Sequence, residues 1–311
     1  MGTPEFAVAS LDALVKAGCN IVGVITAPDK PAGRGMTMQQ SAVKKYAVEN
    51  NLYILQPEKL KDTAFLGELK SLNTDLQIVV AFRMLPEAVW NMPPMGSVNL
   101  HGSLLPQYRG AAPINWAVIN DEKQTGVTTF KLKHEIDTGD ILLQESFPIG
   151  ENDSAGDVHD KMKEIGANLL VKTVKGLAND TLKETPQLST LPTGRQALNS
   201  QQSTLHHAPK IFTETCKIDF AKSVTEVHNL IRGLSPFPGA FTFLDGKMLK
   251  IYKAAISKDD LPHINKPYKT DEKTFLQFAC ADGFIDVQEL QLEGKKKMNI
   301  QDFLRGYRFA K

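Results

Sequence analysis

At 311 residues the chain exceeds what one hydrophobic core usually holds, and 42% apolar with 23% charged residues excludes a disordered or fibrous protein. Lys and Arg total 36 against 35 Asp and Glu, so overall charge attracts no acidic partner and any nucleic-acid contact must come from local clusters. Three scattered cysteines, Cys19, Cys216 and Cys280, exclude a disulfide framework and a paired-cysteine zinc site and point to a reducing, cytoplasmic setting.

The N-terminus has no basic run followed by an apolar one. Met1-Gly2 hints at myristoylation, but Phe6 stands where Ser or Thr is required. No apolar run reaches the ~18 residues of a membrane span. Phe6, Ala9, Leu11, Leu14 and Val15 then recur at helical spacing, and Gly18 is placed to end that helix. Strands are expected at 21–26, 52–55, 76–81 and 97–100. Helices are expected at 42–50, with Ser41 as N-cap, and at 64–72. A helix at 112–120, strands at 125–132 and 139–144, and a long amphipathic helix at 157–178 complete an α/β unit. Near-continuous apolar strands separated by helices indicate a Rossmann-like, doubly wound, mostly parallel sheet. Such a domain should open with a strand feeding the Gly2-Thr3-Pro4 turn. This chain opens at the turn, so the first strand is expected to be missing, with an internal Met read as the start.

Residues 179–209 shift to Thr, Gln, Ser, Pro and Gly and read as a linker. Residues 210–311 differ again. An amphipathic helix at 224–234 leads through Pro236-Phe237-Pro238-Gly239 to short alternating segments, most of them separated by turns such as Asp245-Gly246 and Asp282-Gly283. A small β-barrel of the oligonucleotide-binding kind is the expected fold there. The division is therefore 1–178, a linker at 179–209, and 210–311.

Gly33-Arg34-Gly35 lacks the rest of a dinucleotide fingerprint, and Gly102-Ser103 lacks the second glycine of a nucleophile elbow. The adjacent His206 and His207 cannot share a helical face as metal ligands and read as solvated linker residues. The informative stretch is Val98–Pro113. On a strand Asn99 and His101 project to one side, and a loop with two glycines and Pro106 follows, where open α/β sheets place their chemistry. Alone, the stretch is equally a hydrogen-bonded turn with His101 as a donor. Alone, Asp137 in Glu135-Ile136-Asp137-Thr138-Gly139-Asp140 is sooner a turn residue than a catalyst. Together, an amide, an imidazole and a carboxylate, with no Ser or Cys nucleophile and no metal, suit direct acyl transfer between two bound substrates. That chemistry needs a donor to the developing oxyanion, worth ~2.7–4 kcal/mol. It also needs a group to take the amine proton, worth roughly 10²–10⁴ in rate.

The run Asn99-Leu100-His101-Gly102-Ser103-Leu104-Leu105-Pro106, then Tyr108-Arg109-Gly110-Ala111-Ala112-Pro113-Ile114 and Asp137-Thr138-Gly139-Asp140, strongly resembles the folate-dependent formyltransferases. Met1–Ala7, Pro28–Gly35 and Pro236–Ala240 extend the likeness to nearly the whole chain. Phe82-Arg83-Met84 departs from it, since the family often has a tyrosine and a glycine there, near the pterin pocket. The resemblance implies transfer of formyl from N10 of 10-formyltetrahydrofolate to the α-amino group of methionyl-initiator-tRNA, without a metal, by a cytoplasmic monomer. It implies that Asn99 and His101 donate to the oxyanion. Asp137 would orient His101 and help to accept the amine proton, and Ser103, Leu104, Leu105 and Pro106 would border the folate.

Residues 30–38, basic and glycine-rich, read by themselves as a mobile solvated loop. The resemblance gives them a grip on the tRNA acceptor end, with Arg34 leading and Lys30 beside it. Lys295, Lys296 and Lys297 read as a charged hairpin or, with Lys247, Lys250 and Lys253, as a basic face for tRNA phosphate. The rival readings are a formyltransferase for a small amine, such as a sugar nucleotide or glycinamide ribonucleotide, and a non-catalytic RNA-binding protein. If the first strand is missing, adding about ten upstream residues, enough for one strand, raises the melting temperature; an unchanged melting temperature counts against it.

Overall fold

The computed structural model describes residues 1–32, 36–187, 205–257 and 268–309. Helix α1 (Glu5–Lys16) starts directly after Pro4, and Gly18, at φ +78°, closes it. Strand β1 (Val24–Ile25) is followed by a hairpin of β2 (Lys30–Ala32) and β3 (Thr37–Gln39). The Ser41 hydroxyl accepts from Lys44 N and caps α2 (Ala42–Glu49). Then come β4 (Ile54–Leu55), α3 (Thr63–Ser71), β5 (Gln77–Val80), a single turn α4 (Glu87–Trp90) and β6 (Ser97–His101). After β7 (Arg109–Gly110) the chain forms α5 (Pro113–Ile119), β8 (Gln124–Lys131), β9 (Ile141–Pro148) and α6 (Ala155–Ala178).

Two compact units divide the chain. The first holds Met1–Arg109, Gly126–Phe147 and Lys161–His206. Its main sheet runs β5-β6-β8-β9, with β5 parallel and β8 antiparallel to β6. Strands β1 and β4 form a separate parallel pair. The expected strands at 21–26 and 52–55 are shorter than predicted, because pairing reaches only Val24↔Ile54 and Ile25↔Leu55. Met1 and Gly2 lie between that pair and β5. Met1 N donates to Ile78 O (2.6 Å), Val80 N to Met1 O (2.9 Å) and Gly2 N to Ile25 O (3.1 Å). A Cβ on Gly2 would come within 2.4 Å of that of Ala7, so only glycine fits. Beside these two residues is a cavity of about 130 Å³, walled in part by Ser10, Leu14, Val43 and Ile78. Of residues 30–38, expected to form a mobile basic loop, 30–32 and 37–38 lie in the paired strands β2 and β3, with Lys30 opposite Gln39, and 33–35 lie outside the described residues.

Helix α6 covers one face of the main sheet. The Thr173 and Thr129 hydroxyls meet at 2.8 Å, and Gly166 lets the helix sit close to Leu100. Leu100 and Thr129 lie opposite one another on β6 and β8, which leaves Asn99 and His101 on the other face.

The second unit holds Gly110–Thr125, Pro148–Asp160 and His207–Lys311. It adds β10 (His207–Ala208), α7 (Val224–Gly233), β11 (Ala240–Leu244), β12 (Lys247–Ser257), β13 (Tyr268–Thr270), β14 (Leu276–Ala279), β15 (Phe284–Leu292), β16 (Met298–Asn299) and α8 (Ile300–Gly306). The antiparallel sheet runs β11-β12-β15-β14-β13, with β16 on β15. The expected barrel is thus a half-barrel: among the described residues the path ends at β11 and β13 without closing. Its amphipathic helix α7 starts at a capping box between Ser223 and Glu226 and buries Val227 and Ile231 in the same core as Leu249, Ile251 and Leu290. The buried guanidinium of Arg232 ties three segments together by donating to Asn229 Oδ1 (2.8 Å), Asp153 O (3.1 Å) and Asp121 Oδ1 (3.0 Å). Burial holds its pKa below the usual arginine value, against the pull of Asp121.

Candidate active site

The site is assembled at the end of β6. Asn99 lies opposite Phe130 and His101 opposite Thr128 on β8, so all four side chains share the face that α6 leaves uncovered. Asn99 is partly exposed, and among the described residues its amide makes no hydrogen bond. His101 is buried, edge-on to Phe130 with ring centroids 6.5 Å apart. Its Nε2 donates to Tyr108 O at 2.9 Å, since a carbonyl can only accept. Its Nδ1 therefore faces the Asp137 carboxylate, with Oδ2 at 3.9 Å. The three residues singled out from sequence supply a free amide on one strand face and an imidazole beside a carboxylate.

The loop after β6 is held by Thr128. This fully buried hydroxyl donates to Ser103 O (2.6 Å), while Leu105 N (3.1 Å) and Gln144 Nε2 (2.9 Å) donate to it; Gln144 also donates to Leu105 O (2.9 Å). Ser103 is fully buried, its hydroxyl donating to Gln107 O at 2.6 Å, an arrangement unsuited to a nucleophile. Leu105 is also buried, whereas Leu104 and Pro106 are partly exposed. Of the four residues expected to border the folate, two therefore shape the loop from inside and two reach its surface. Tyr108, at φ +58°, receives support from His206, whose carbonyl accepts from Tyr108 N (2.7 Å) and whose ring stacks on the tyrosine. His206 is exposed, as expected of a linker histidine, but it is packed against the site loop.

Asp137, at φ +55°, sits in the turn between β8 and β9. Gly139 permits that turn, because a Cβ there would lie 1.5 Å from Lys131 O. Asp140 is paired with Lys133 at 2.7 Å. Arg83 lies over the Phe82 ring and donates to the carbonyls of Pro57 and Glu58, while Met84 is exposed.

Among the residues expected to touch RNA, Arg34 lies outside the described residues. Lys30 is exposed on β2. The lysines 295–297 belong to the other unit and are exposed, with Lys297 paired to Glu289 at 2.6 Å and placed over the Tyr252 ring. Sequence reasoning missed Thr128, Gln144 and Tyr108. Thr128 carried only the faint signal of a polar residue at a buried strand position, and Gln144 is exposed on β9.

Residues 1–174 match the family model described as formyl transferase, and residues 210–308 match its C-terminal domain. The chain belongs to the formyl transferase family. Methionyl-tRNA formyltransferase of Parabacteroides distasonis is 54% identical over 99% of this chain and 94% of that protein. Its counterpart from Phocaeicola vulgatus is 56% identical over the same shares. Among solved structures, the sugar 3N-formyl transferase WlaRD, in the presence of dTDP and 5-N-formyl-THF, superposes with a TM-score of 0.66. It is 22% identical and covers 95% of this chain and 97% of its own, which shows a shared fold. No helix among the described residues of this formyl transferase is long and apolar enough to cross a membrane.

Replacing Thr128 by Val keeps its shape and strands Leu105 N and Ser103 O, while Gln144 keeps its bond to Leu105 O. The expected loss in a denaturant titration is about 2–4 kcal/mol, since buried groups left unbonded cost roughly 1–3 kcal/mol each and partly find other partners.

Proposed function

We propose that this formyl transferase moves the formyl group of 10-formyltetrahydrofolate onto the α-amino group of methionyl-initiator-tRNA, for translation initiation. The observation that carries the reading is the Asn99 amide, unbonded among the described residues, on the same strand face as His101, with Asp137 at the far nitrogen of that imidazole. The activity named for the two relatives, over nearly their full length, supports the same choice.

In this reading Asn99 donates to the formyl oxygen as it gains charge. His101 joins it when its Nε2 hydrogen exchanges the Tyr108 carbonyl for the charged oxygen, the stronger acceptor. The amine nitrogen bonds to the formyl carbon and the bond to N10 breaks. Asp137 orients His101 and receives the proton that the amine gives up, and that proton is then passed on to N10 as it leaves, which restores the carboxylate. Serine chemistry is disfavoured because the Ser103 hydroxyl is buried and bonded. The amide, imidazole and carboxylate suit a folate formyl donor without a further nucleophile. Leu104 and Pro106 would border it directly, with Ser103 and Leu105 fixing their loop. Arg34 and Lys30 would hold the acceptor end, and Lys295, Lys296 and Lys297 the tRNA backbone. We place catalysis in residues 1–178 and tRNA binding in 210–311, in a cytoplasmic monomer.

Incubation with 10-formyltetrahydrofolate and either methionyl-tRNA or small amines, a sugar nucleotide and glycinamide ribonucleotide, tests the assignment. Formylmethionyl-tRNA is the expected product. Asn99→Ala, His101→Ala and Asp137→Ala should each lower turnover by about two orders of magnitude or more. Near-normal turnover in all three, or formylation of a small amine alone, would sink the reading.

A further inference from the structure

Both nitrogens of His101 face groups supplied by segments outside the regular strands: the Tyr108 carbonyl on the loop after β6 and the Asp137 carboxylate on the turn after β8. One side chain joins those two segments. Gln187 Oε1 accepts from Arg109 Nε (3.1 Å) and from an Arg109 terminal nitrogen (2.6 Å), and Arg109 directly follows Tyr108. Gln187 Nε2 donates to Asp137 O (3.0 Å) and Gly139 O (2.7 Å), the carbonyls that bracket Thr138. Both hydrogens and both lone pairs of the amide are used. The opposite amide orientation would set its oxygen against two carbonyls and its NH₂ against a guanidinium, so the partners dictate the arrangement.

The backbone carrying Gln187 is itself anchored. Thr185 and Ile141 exchange both main-chain hydrogen bonds at 2.8 Å, which fixes Thr185, two residues before Gln187, beside the first residue of β9. The result is a closed circuit: His101, Tyr108, Arg109, Gln187, Asp137 and back to His101. Asp137 adopts a left-handed conformation, uncommon for a residue with a side chain although aspartate tolerates it better than most, and the two Gln187 bonds brace that turn.

We infer that Gln187, anchored by Arg109, is a positioning residue that sets the distance between the Asp137 carboxylate and His101. It touches neither reactant and acts through Asp137. The inference deepens the reading above and rests on it. Segment 179–209, read from sequence as a linker, thereby contributes to the geometry of the site.

The test uses Gln187→Met, which keeps length and volume without the amide, alone and combined with Asp137→Ala. Both are assayed on methionyl-tRNA and 10-formyltetrahydrofolate, with the melting temperature recorded for each. An ångström of misplacement typically costs up to about 10²-fold in rate, so Q187M should lower kcat by about tenfold to a hundredfold. KM for both substrates should stay within about twofold, and in the D137A background Q187M should have no further effect on kcat. Unchanged kcat in Q187M while D137A is impaired overturns this inference alone. An equal loss of kcat in both backgrounds also overturns it, because Gln187 would then act independently of Asp137. Normal turnover in D137A overturns both the inference and the functional reading beneath it. If Q187M does not fold, Arg109→Met loosens the same amide from its other side. It should then show a smaller fall in kcat that again vanishes in D137A; a fall that persists there overturns the inference.

Discussion

The register between β6 and β8 is the constraint on which the rest of the site depends. A one-residue slip of a strand moves every side chain to the opposite face. Here it would turn Asn99 and His101 toward α6 and bring Val98 and Leu100 out. The register is held from both faces. On one, Leu100 meets Gly166, where an added methyl would press on it at 3.0 Å, and Thr129 meets Thr173. On the other, Thr128 reaches across to the loop that leaves β6 and bonds it at two main-chain points. The same pairing that orients His101 thus also fixes the first residues of the loop beyond it.

Much of this was legible because strands and helices write their period into the chain. The common face of Asn99 and His101 follows from a period of two, and the end of α1 and the start of α2 follow from Gly18 and Ser41. The supports of the site were not legible, for two reasons. Tyr108 acts on His101 through a main-chain carbonyl, which leaves no mark on residue type. Thr128 and Gln187 bond to partners more than twenty residues away, and Gln187 sits in a run of Thr, Pro and Gln that by composition signals mobility. Polar side chains carry that signal because they compete for backbone groups, which is also what makes Gln187 able to clamp a turn. The short β1 and β4 were over-read for a related reason: β-branched runs report burial, while strand length depends on which neighbour is there to pair.

The basic face of the second unit is altered more than its prediction suggested. Lys297 pairs with Glu289 over Tyr252, and Lys250 donates to Pro238 O at 2.8 Å, so two of its lysines already have partners. The exposed Lys297–Glu289 pair is worth only about 0–1 kcal/mol, so it holds that lysine weakly. The arrangement keeps the ammonium of Lys297 beside an aromatic ring.

Tyr108 and Asp137, the two residues that face the nitrogens of His101, both adopt left-handed backbone conformations without being glycine. Each such residue costs of the order of 1–3 kcal/mol and persists only where its surroundings over-determine it. For Tyr108 those surroundings are the His206 carbonyl and ring. For Asp137 they are Gln187 and the absence of a side chain at Gly139. Strain of this kind is not needed to close either turn, since a glycine at each position would do so without cost. It is needed if the turn must also carry a particular side chain in a particular direction. Asp137 has to bring a carboxylate within reach of an imidazole, and Tyr108 has to pack its ring while aiming its carbonyl at the same imidazole. The strained backbone on both sides of His101 therefore marks the place where side-chain identity and loop geometry are required together.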